Sequence, residues 1–440
     1  MKLLETYHIP IPPALKIKKA WIITFLGVII LRLLLDWSYS FVISDVFGYY
    51  NFDYDPTVKS YLLSWFLLLI LLPFIVKTIH DDCLSSNILS VLVLISLIPT
   101  TTLIGFYGSY SLTYVLYMFV YWAALLIYNS RFPAIQISKK SVKNSSTLFY
   151  SVAILLSSVV VYASWKFTGF RFHFGLIDVY DIRAEAREYE FPIVLGYLIT
   201  AADTILPIIL IFFLVRKKWL LSGVFIIIIL LNFGISAVKM VLFYLIFTIA
   251  CYLFIRSTKV FKNSVWFVIP LVVLCIFEYA ILQTAVLSNF SLFRIFFIPS
   301  KLHYLYFEYF SVRELDYFRQ GALRLFFDSP YEENIQFILG EYDIGDFTAR
   351  ANNGLFTDAF LNLGLLGVLL FPFFLTILLK TLEGSARGLD PRFMFVITTT
   401  VSFVLLGVSI TTSLLTSGLF LLILLLYLMP RRSPHTFNSI

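Results

Sequence analysis

FPIVLGYLITAADTILPIILIFFLV, residues 191–215, runs into Arg216-Lys217-Lys218 and then into WLLSGVFIIIILLNFGI, residues 219–235. Two apolar runs are divided by three consecutive cations. A helix needs about 20 mostly apolar residues to cross a bilayer's hydrocarbon core. Runs of this kind find no soluble environment that hides them on all sides. The cations between them mark a turn in water, beside the headgroups.

The rest of the chain repeats this pattern. Of its 440 residues 60% are hydrophobic and 13% charged, against about 25% charged in a soluble domain. Mean hydropathy is +0.90. A folded core still leaves a surface that needs polar cover, so the solvent must be lipid. This excludes a secreted enzyme, a cytosolic enzyme and a disordered scaffold. Cys83, Cys251 and Cys275 lie in or beside apolar runs and outline no disulfide framework. The first 19 residues are polar and proline-bearing, so no cleavable signal peptide is expected.

Twelve spans are expected, at 20–35, 60–79, 86–105, 110–128, 148–165, 191–215, 219–235, 237–255, 264–287, 355–380, 393–408 and 412–429. The pair 219–235 and 237–255 also reads as a re-entrant pair, and 393–408 is short. Loop charge tests the map, because cytoplasmic loops collect Lys and Arg. With the N-terminus inside, the inner segments hold Lys16, Lys18, Lys19, Arg131, Lys139, Lys140, Arg216, Lys217, Lys218, Arg387 and Arg431 among others. These segments contain most of the 33 basic residues, but of the 26 acids only Glu5, Asp81, Asp82, Glu383 and Asp390. Both termini are therefore expected in the cytoplasm. The chain reads as one all-α, polytopic membrane domain over 1–440. Its net charge of +7 serves orientation, and no nucleic acid is expected as partner.

Two outer loops are long, 166–190 and 288–354. The second contains SLFRIFFIPSKLHYLYFEYFSVRELDYFRQGALRLFF, in which charges recur among Phe, Tyr and Leu. That pattern predicts helices lying in the interface plane. The outer side also holds Arg171, Arg183, Arg187, Arg294, Arg313, Arg319, Arg324 and Arg350. Positive-inside orientation disfavours these arginines there, and a guanidinium grips phosphate oxygens through a bidentate fork. The plainer reading pairs Arg313, Arg319 and Arg324 with neighbouring acids in solvated loops. Lys239, in NFGISAVKM, is expected to face a cavity or to snorkel.

A hydroxyl nucleophile needs a base. His303, among aromatics, is the candidate, with Glu308, Asp178, Asp181 and Asp358 as rivals. Asp53-Tyr54-Asp55 is a DxD, which reads either as a cation clamp or, with Asp36 and Asp45, as a solvated acidic loop. The segment from Asn352 to Gly367 opens a span that Asn353 or Thr357 is expected to cap, with Asp358 in the first turn. Asn353 and Asp358 also suit contact with sugar hydroxyls. Asp203, Lys239 and Glu278 fall near span ends in this map. No Walker A loop, GxGxxG, zinc spacing or GxSxG is present, and no metal or cofactor is expected.

Four stretches together resemble the Wzy-type oligosaccharide repeat-unit polymerases of O-antigen and capsular polysaccharide. They are VYDIRAEARE at 179–188, GISAVKMVLFYL at 234–245, FRIFFIPSKLHYLYFEYFS at 293–311 and ANNGLFTDAFLNLGLLGVLL at 351–370. The resemblance covers about residues 165–375 by motif and the remainder by topology. It implies a GT-C-like, metal-independent inverting glycosyltransferase in the bacterial cytoplasmic (inner) membrane. Its substrates would be undecaprenyl-pyrophosphate-linked oligosaccharides presented in membrane lipid, with a chain-length regulator and a flippase as further partners. Arg171, Arg183, Lys239, Arg294, Asn353 and Asp358 are the substrate-binding residues it implies. The choice of His303 as base comes from its chemistry alone. Three other readings stand beside it: a lipid-linked oligosaccharide flippase, a lipid-carrier glycosyltransferase that needs the Asp53/Asp55 pair and a cation, and an O-antigen ligase.

Overall fold

The computed structural model describes residues 13–108, 110–136, 144–171, 185–186, 189–255, 257 and 259–431, and these are helical with no strand among them. Ten helices are long and apolar enough to cross a membrane. They are α1 Lys19–Val46, α2 Val58–His80, α3 Leu84–Phe106, α4 Leu112–Arg131, α5 Ser145–Thr168, α6 Ile193–Val215, α7 Trp219–Ser236, α9 Ser264–Leu282, α12 Phe356–Ala386 and α14 Ile410–Leu428. Two shorter apolar helices accompany them, α8 Lys239–Phe254 and α13 Pro391–Gly407. At 1.5 Å per residue each is about 25 Å long, below the ~30 Å core. The outer segment contributes α10 Ile298–Phe310 and α11 Ile335–Ile344. Outward faces are apolar, with Leu62, Phe66, Ile154, Leu155, Phe267 and Ile281 exposed, as expected when the surrounding solvent is lipid.

Local chemistry sets the helix ends. Thr57 and Ser60 form a reciprocal capping box at the start of α2. Ser111 caps α4 and Asp390 caps α13. α7 and α8 form a hairpin that turns through Ala237, held at φ +47°. Within α12 the helical run breaks at Gly364, at φ +54° and ψ −131°. Only glycine takes that conformation without strain. The first two turns fold back there, and a Cβ on Gly367 would collide with the Ala359 carbonyl.

Contacts sort the loops onto two faces. On one face Thr24 meets His80 at 3.0 Å, Lys262 meets Asp82 at 3.5 Å, and Arg216 donates to the Pro430 carbonyl at 2.7 Å. Arg431 bonds the Ser385 carbonyl there as well. This face gathers the described ends of the chain and the basic loops. On the opposite face the Asp55 amide bonds the Phe106 carbonyl at 3.0 Å, and Tyr306 reaches the Ala351 carbonyl at 2.8 Å. The basic loops named here share one face of the described structure.

Two expectations change. The aromatic stretch 289–310 does not lie flat on the surface. A π-helical segment, Asn289–Phe297, leads into α10, whose Ser300, Lys301, Leu302, His303, Leu305, Tyr306 and Phe307 are buried. Its apolar residues cover every side of the helix, so it seats between α3 and α12 as a core element. The surface-lying portion is the turn-rich 321–327, where Leu323, Leu325, Phe326 and Phe327 are exposed.

Charge also occurs at mid-span. Arg32 and Asp36 form a fully buried ion pair within α1, so Asp36 belongs to no solvated loop. Arg32 donates to Ser64 and Thr101, and Tyr61 donates to Asp36. Asp203 sits midway along α6 and accepts a 2.5 Å bond from Asn232. Glu278 does lie near its span end, accepting from the Leu287 and Ser288 amides.

Candidate functional site

The face opposite the chain ends carries a cavity of about 220 Å³, lined by Asn51, Asp53, Tyr107, Tyr110, Lys301, Tyr304, Glu308, Tyr342 and Asp343 among others. Its back wall is α10. Lys301 and Glu308 sit seven residues apart, two helical turns, and so share one side of that helix. The Lys301 side chain is 8% exposed and all its donors are used. It bonds both Asp343 carboxylate oxygens, at 2.6 and 2.8 Å, and the Tyr50 carbonyl at 2.5 Å. Its ammonium also lies 5.3 Å from the centre of the Phe52 ring. One lysine thus ties α11 and the α1–α2 loop to α10. Burial lowers its pKa, against the pull of Asp343.

Glu308 is an exposed residue at the cavity's edge and makes no side-chain hydrogen bond among the described residues. Partial desolvation first, and the neighbouring Asp343 second, raise its pKa. A carboxylate tuned this way is a better proton acceptor near neutral pH than an ordinary surface glutamate. Tyr107 and Asp53 lie side by side in the lining. The rings of Tyr107 and Tyr110 lie 4.8 Å apart, and those of Tyr110 and Tyr304 4.2 Å apart, giving the cavity an aromatic wall. At the rim the Arg313 guanidinium stacks on Tyr309 at 3.9 Å and lies 5.7 Å from the Tyr342 ring centre.

Asp53 also lines a wider, open groove of about 630 Å³ with Ser40, Ser44, Asp45, Tyr279 and Gln283. This groove runs between the ends of α1 and α9 on the face away from the chain ends. Tyr279 donates to Asp45 across it. π-Helical segments Tyr39–Ile43, Val93–Leu97 and Asn289–Phe297 meet beside α10. Tyr39 packs on Phe297 at 5.4 Å and Ser300 bonds the Ser96 carbonyl at 3.2 Å. Such segments occur often at functional sites.

A second, smaller cavity of about 110 Å³ on the same face is lined by Asp316, Gln320, Gln336, Asn353, Asp358, Asn362, Ser409 and Thr412 among others. It unites two of the expected residues. Asp358 is 1% exposed, accepting from Asn362 at 2.8 Å and from the Ile410 amide at 2.7 Å. It therefore serves the start of α14 rather than that of its own helix. Neither Asn353 nor Thr357 caps α12: the chain enters through Leu355 at φ +55°, Asn353 accepts from Gln336 at 3.0 Å, and the Thr357 hydroxyl donates to the Gly354 carbonyl.

The other expected residues do not converge. His303 is 2% exposed, lines neither cavity, and lies 3.3 Å from Thr100 through Nδ1. Burial pulls its pKa down to about 3, which leaves it a weak base. Arg294 is exposed and meets Asn289 at 3.2 Å. Arg171 is clamped by Glu185, at 2.5 and 2.7 Å, and its carbonyl lies against Gly234. That clamp holds the Glu185 pKa at about 2. Lys239 is half-buried at the start of α8, on the same side of the molecule as Gly234. Arg183, with Asp178, Asp181 and Arg187, lies outside the described residues. No group of three metal-ligating side chains occurs among the described residues.

Lys301 and Asp343 were not legible as site residues, since 42 positions separate them. One signal was available: Lys301 is a cation inside an aromatic stretch of the segment expected on the outer side, where orientation disfavours it just as it disfavours the arginines. No protein-family profile, curated protein or solved structure matches this chain.

Proposed function

We propose that the chain is an outer-face glycosyltransferase that polymerises undecaprenyl-pyrophosphate-linked oligosaccharides, as the Wzy-type resemblance implies. In this reading α8 and α13 cross as well, giving twelve spans with both termini in the cytoplasm, in a GT-C-like arrangement. The observation that carries it is the aromatic cavity on the face away from the chain ends, holding an unbonded, pKa-raised Glu308. Glu308 takes the proton from the attacking sugar hydroxyl as the new glycosidic C–O bond forms. The bond from the anomeric carbon to the carrier diphosphate breaks, and the electron pair leaves with the diphosphate. Arg313, at the rim, meets the negative charge that departs. The groove between α1 and α9 gives the lipid-linked chain an approach from the bilayer. Asp53 belongs to the cavity wall here and needs no cation.

Purified protein given lipid-linked repeat units should produce a ladder of longer chains, and Glu308→Gln should abolish it while the protein still folds. A product that stays at one repeat with the parent protein overturns the reading.

The buried Arg32–Asp36 pair and mid-span Asp203 favour a second reading, transport of the lipid-linked unit, because charge at span centres marks transport paths. A flippase would move such units across proteoliposome membranes and form no ladder.

A further inference from the structure

We infer that the Lys301–Glu308 cavity seats a single sugar unit that carries no acidic group, favouring an amino sugar over a neutral one and rejecting a uronic acid. The inference rests on the glycosyltransferase reading for which molecule brings the sugar. Its selectivity follows from the cavity.

Size sets the first limit. Pockets for drug-sized ligands run to ~300–1,000 Å³. The 220 Å³ here suits one pyranose ring, and the oligosaccharide beyond it follows the open groove that shares Asp53. The wall sets the second. Tyr107, Tyr110 and Tyr304 present rings on which the C–H face of a sugar packs. The Tyr110 hydroxyl is buried and has no hydrogen-bond partner among the described residues, although the residue lines the cavity. A buried hydroxyl left unpaired is costly, and a sugar hydroxyl would satisfy it.

Charge sets the third limit. Asp53, Glu308 and Asp343 line the cavity against one ammonium, Lys301, whose three donors are already spent on Asp343 and Tyr50. The carboxylates therefore face an incoming ligand with a surplus of negative charge. Hydroxyls donate to carboxylates, and an ammonium does so more strongly. A carboxylate on the sugar would meet like charge from three sides of a partly enclosed cavity.

Saturation-transfer NMR on the purified full-length protein tests this with methyl glucosaminide, methyl glucoside and methyl glucuronide as probes. The first two should bind, and the glucuronide at least about tenfold more weakly. The Asp53→Asn, Glu308→Gln double variant should bring the glucuronide level with the glucoside. Tyr304→Ala should abolish all three signals. Where that variant unfolds, Tyr110→Phe, which removes only the unpaired hydroxyl, should weaken the glucoside several-fold. Equal binding of the glucuronide by the parent, unchanged discrimination in the double variant, or no glycoside binding at all overturns the inference. A ladder assay on the same preparation separates the two claims. A ladder without discrimination overturns only the sugar selectivity, and discrimination without a ladder overturns only the polymerase reading.

Discussion

Two cavities on one face are lined by carboxylates, buried in the smaller and more open to solvent in the larger, and they differ in what those carboxylates have left to give. Around Asp358 and Asp316 each carboxylate oxygen already accepts a bond, from Asn362, the Ile410 amide, Ser329 or the Gln320 amide. That network joins the kinked start of α12 to α14 and to the outer segment. Around Lys301 only Asp343 is fully engaged, while Glu308 faces the cavity without a hydrogen bond. Burial alone does not make a carboxylate chemical. Satisfied partners make it scaffold, and an unspent lone pair beside a cavity makes it a reagent.

The contrast breaks most sharply at Glu308. Glu308→Gln should lower ladder formation by about 10²–10⁴-fold, the usual worth of a positioned base, with little change in thermal unfolding. Turnover near the parent level in that variant would remove Glu308 from the chemistry. Because its pKa is raised, the acid limb of activity should fall at higher pH than the ~4.3 of a free glutamate. Activity appears as pH rises through that raised value, since the base must be unprotonated.

Lys301→Met strands Asp343 without its cation and should cost about 3 kcal/mol of stability, read by thermal unfolding in detergent. Asp358→Asn turns an acceptor into a donor against the Ile410 amide and should cost about 1–3 kcal/mol. The folded fraction of that variant should retain its turnover, and loss of turnover without loss of stability would exchange the roles of the two cavities.

His303 sharpens the comparison through pH. Its folded pKa of about 3 lies below the unfolded ~6.5, so the unfolded chain binds the extra proton in acid. The stability it contributes is complete above pH 6.5 and is lost as pH falls towards 3. His303→Leu should flatten the drop in unfolding temperature between pH 7 and 4. The smallest effect is expected at Arg294, exposed and outside both cavities: Arg294→Ala should leave ladder length within about twofold of the parent.

The spans and the basic face were legible because each is a local property: an apolar run for a helix, a cluster of cations for one face. The two helices that fall short of a full span, α8 and α13, belong to the runs that read least clearly as crossings. The site was harder to read. Lys301, Asp343, Asn51 and Tyr110 come from four separate segments, brought together by the packing of α10. Chemistry drew attention to His303, but its aromatic neighbours do not show which side of the helix is enclosed. Five residues further on, Glu308 was one of four rival bases, and only its position on the cavity side distinguishes it.

Periodicity and charge along the chain were enough to determine an all-helical protein with many apolar, membrane-length helices and a face that gathers basic loops, because lipid acts on every segment separately. Which carboxylates are spent and which remain available depends on partners distant in the chain, as with Asp358 and the Ile410 amide, 52 residues apart. Hydrogen-bond satisfaction is a property of the packed structure, and only the tertiary fold decided it.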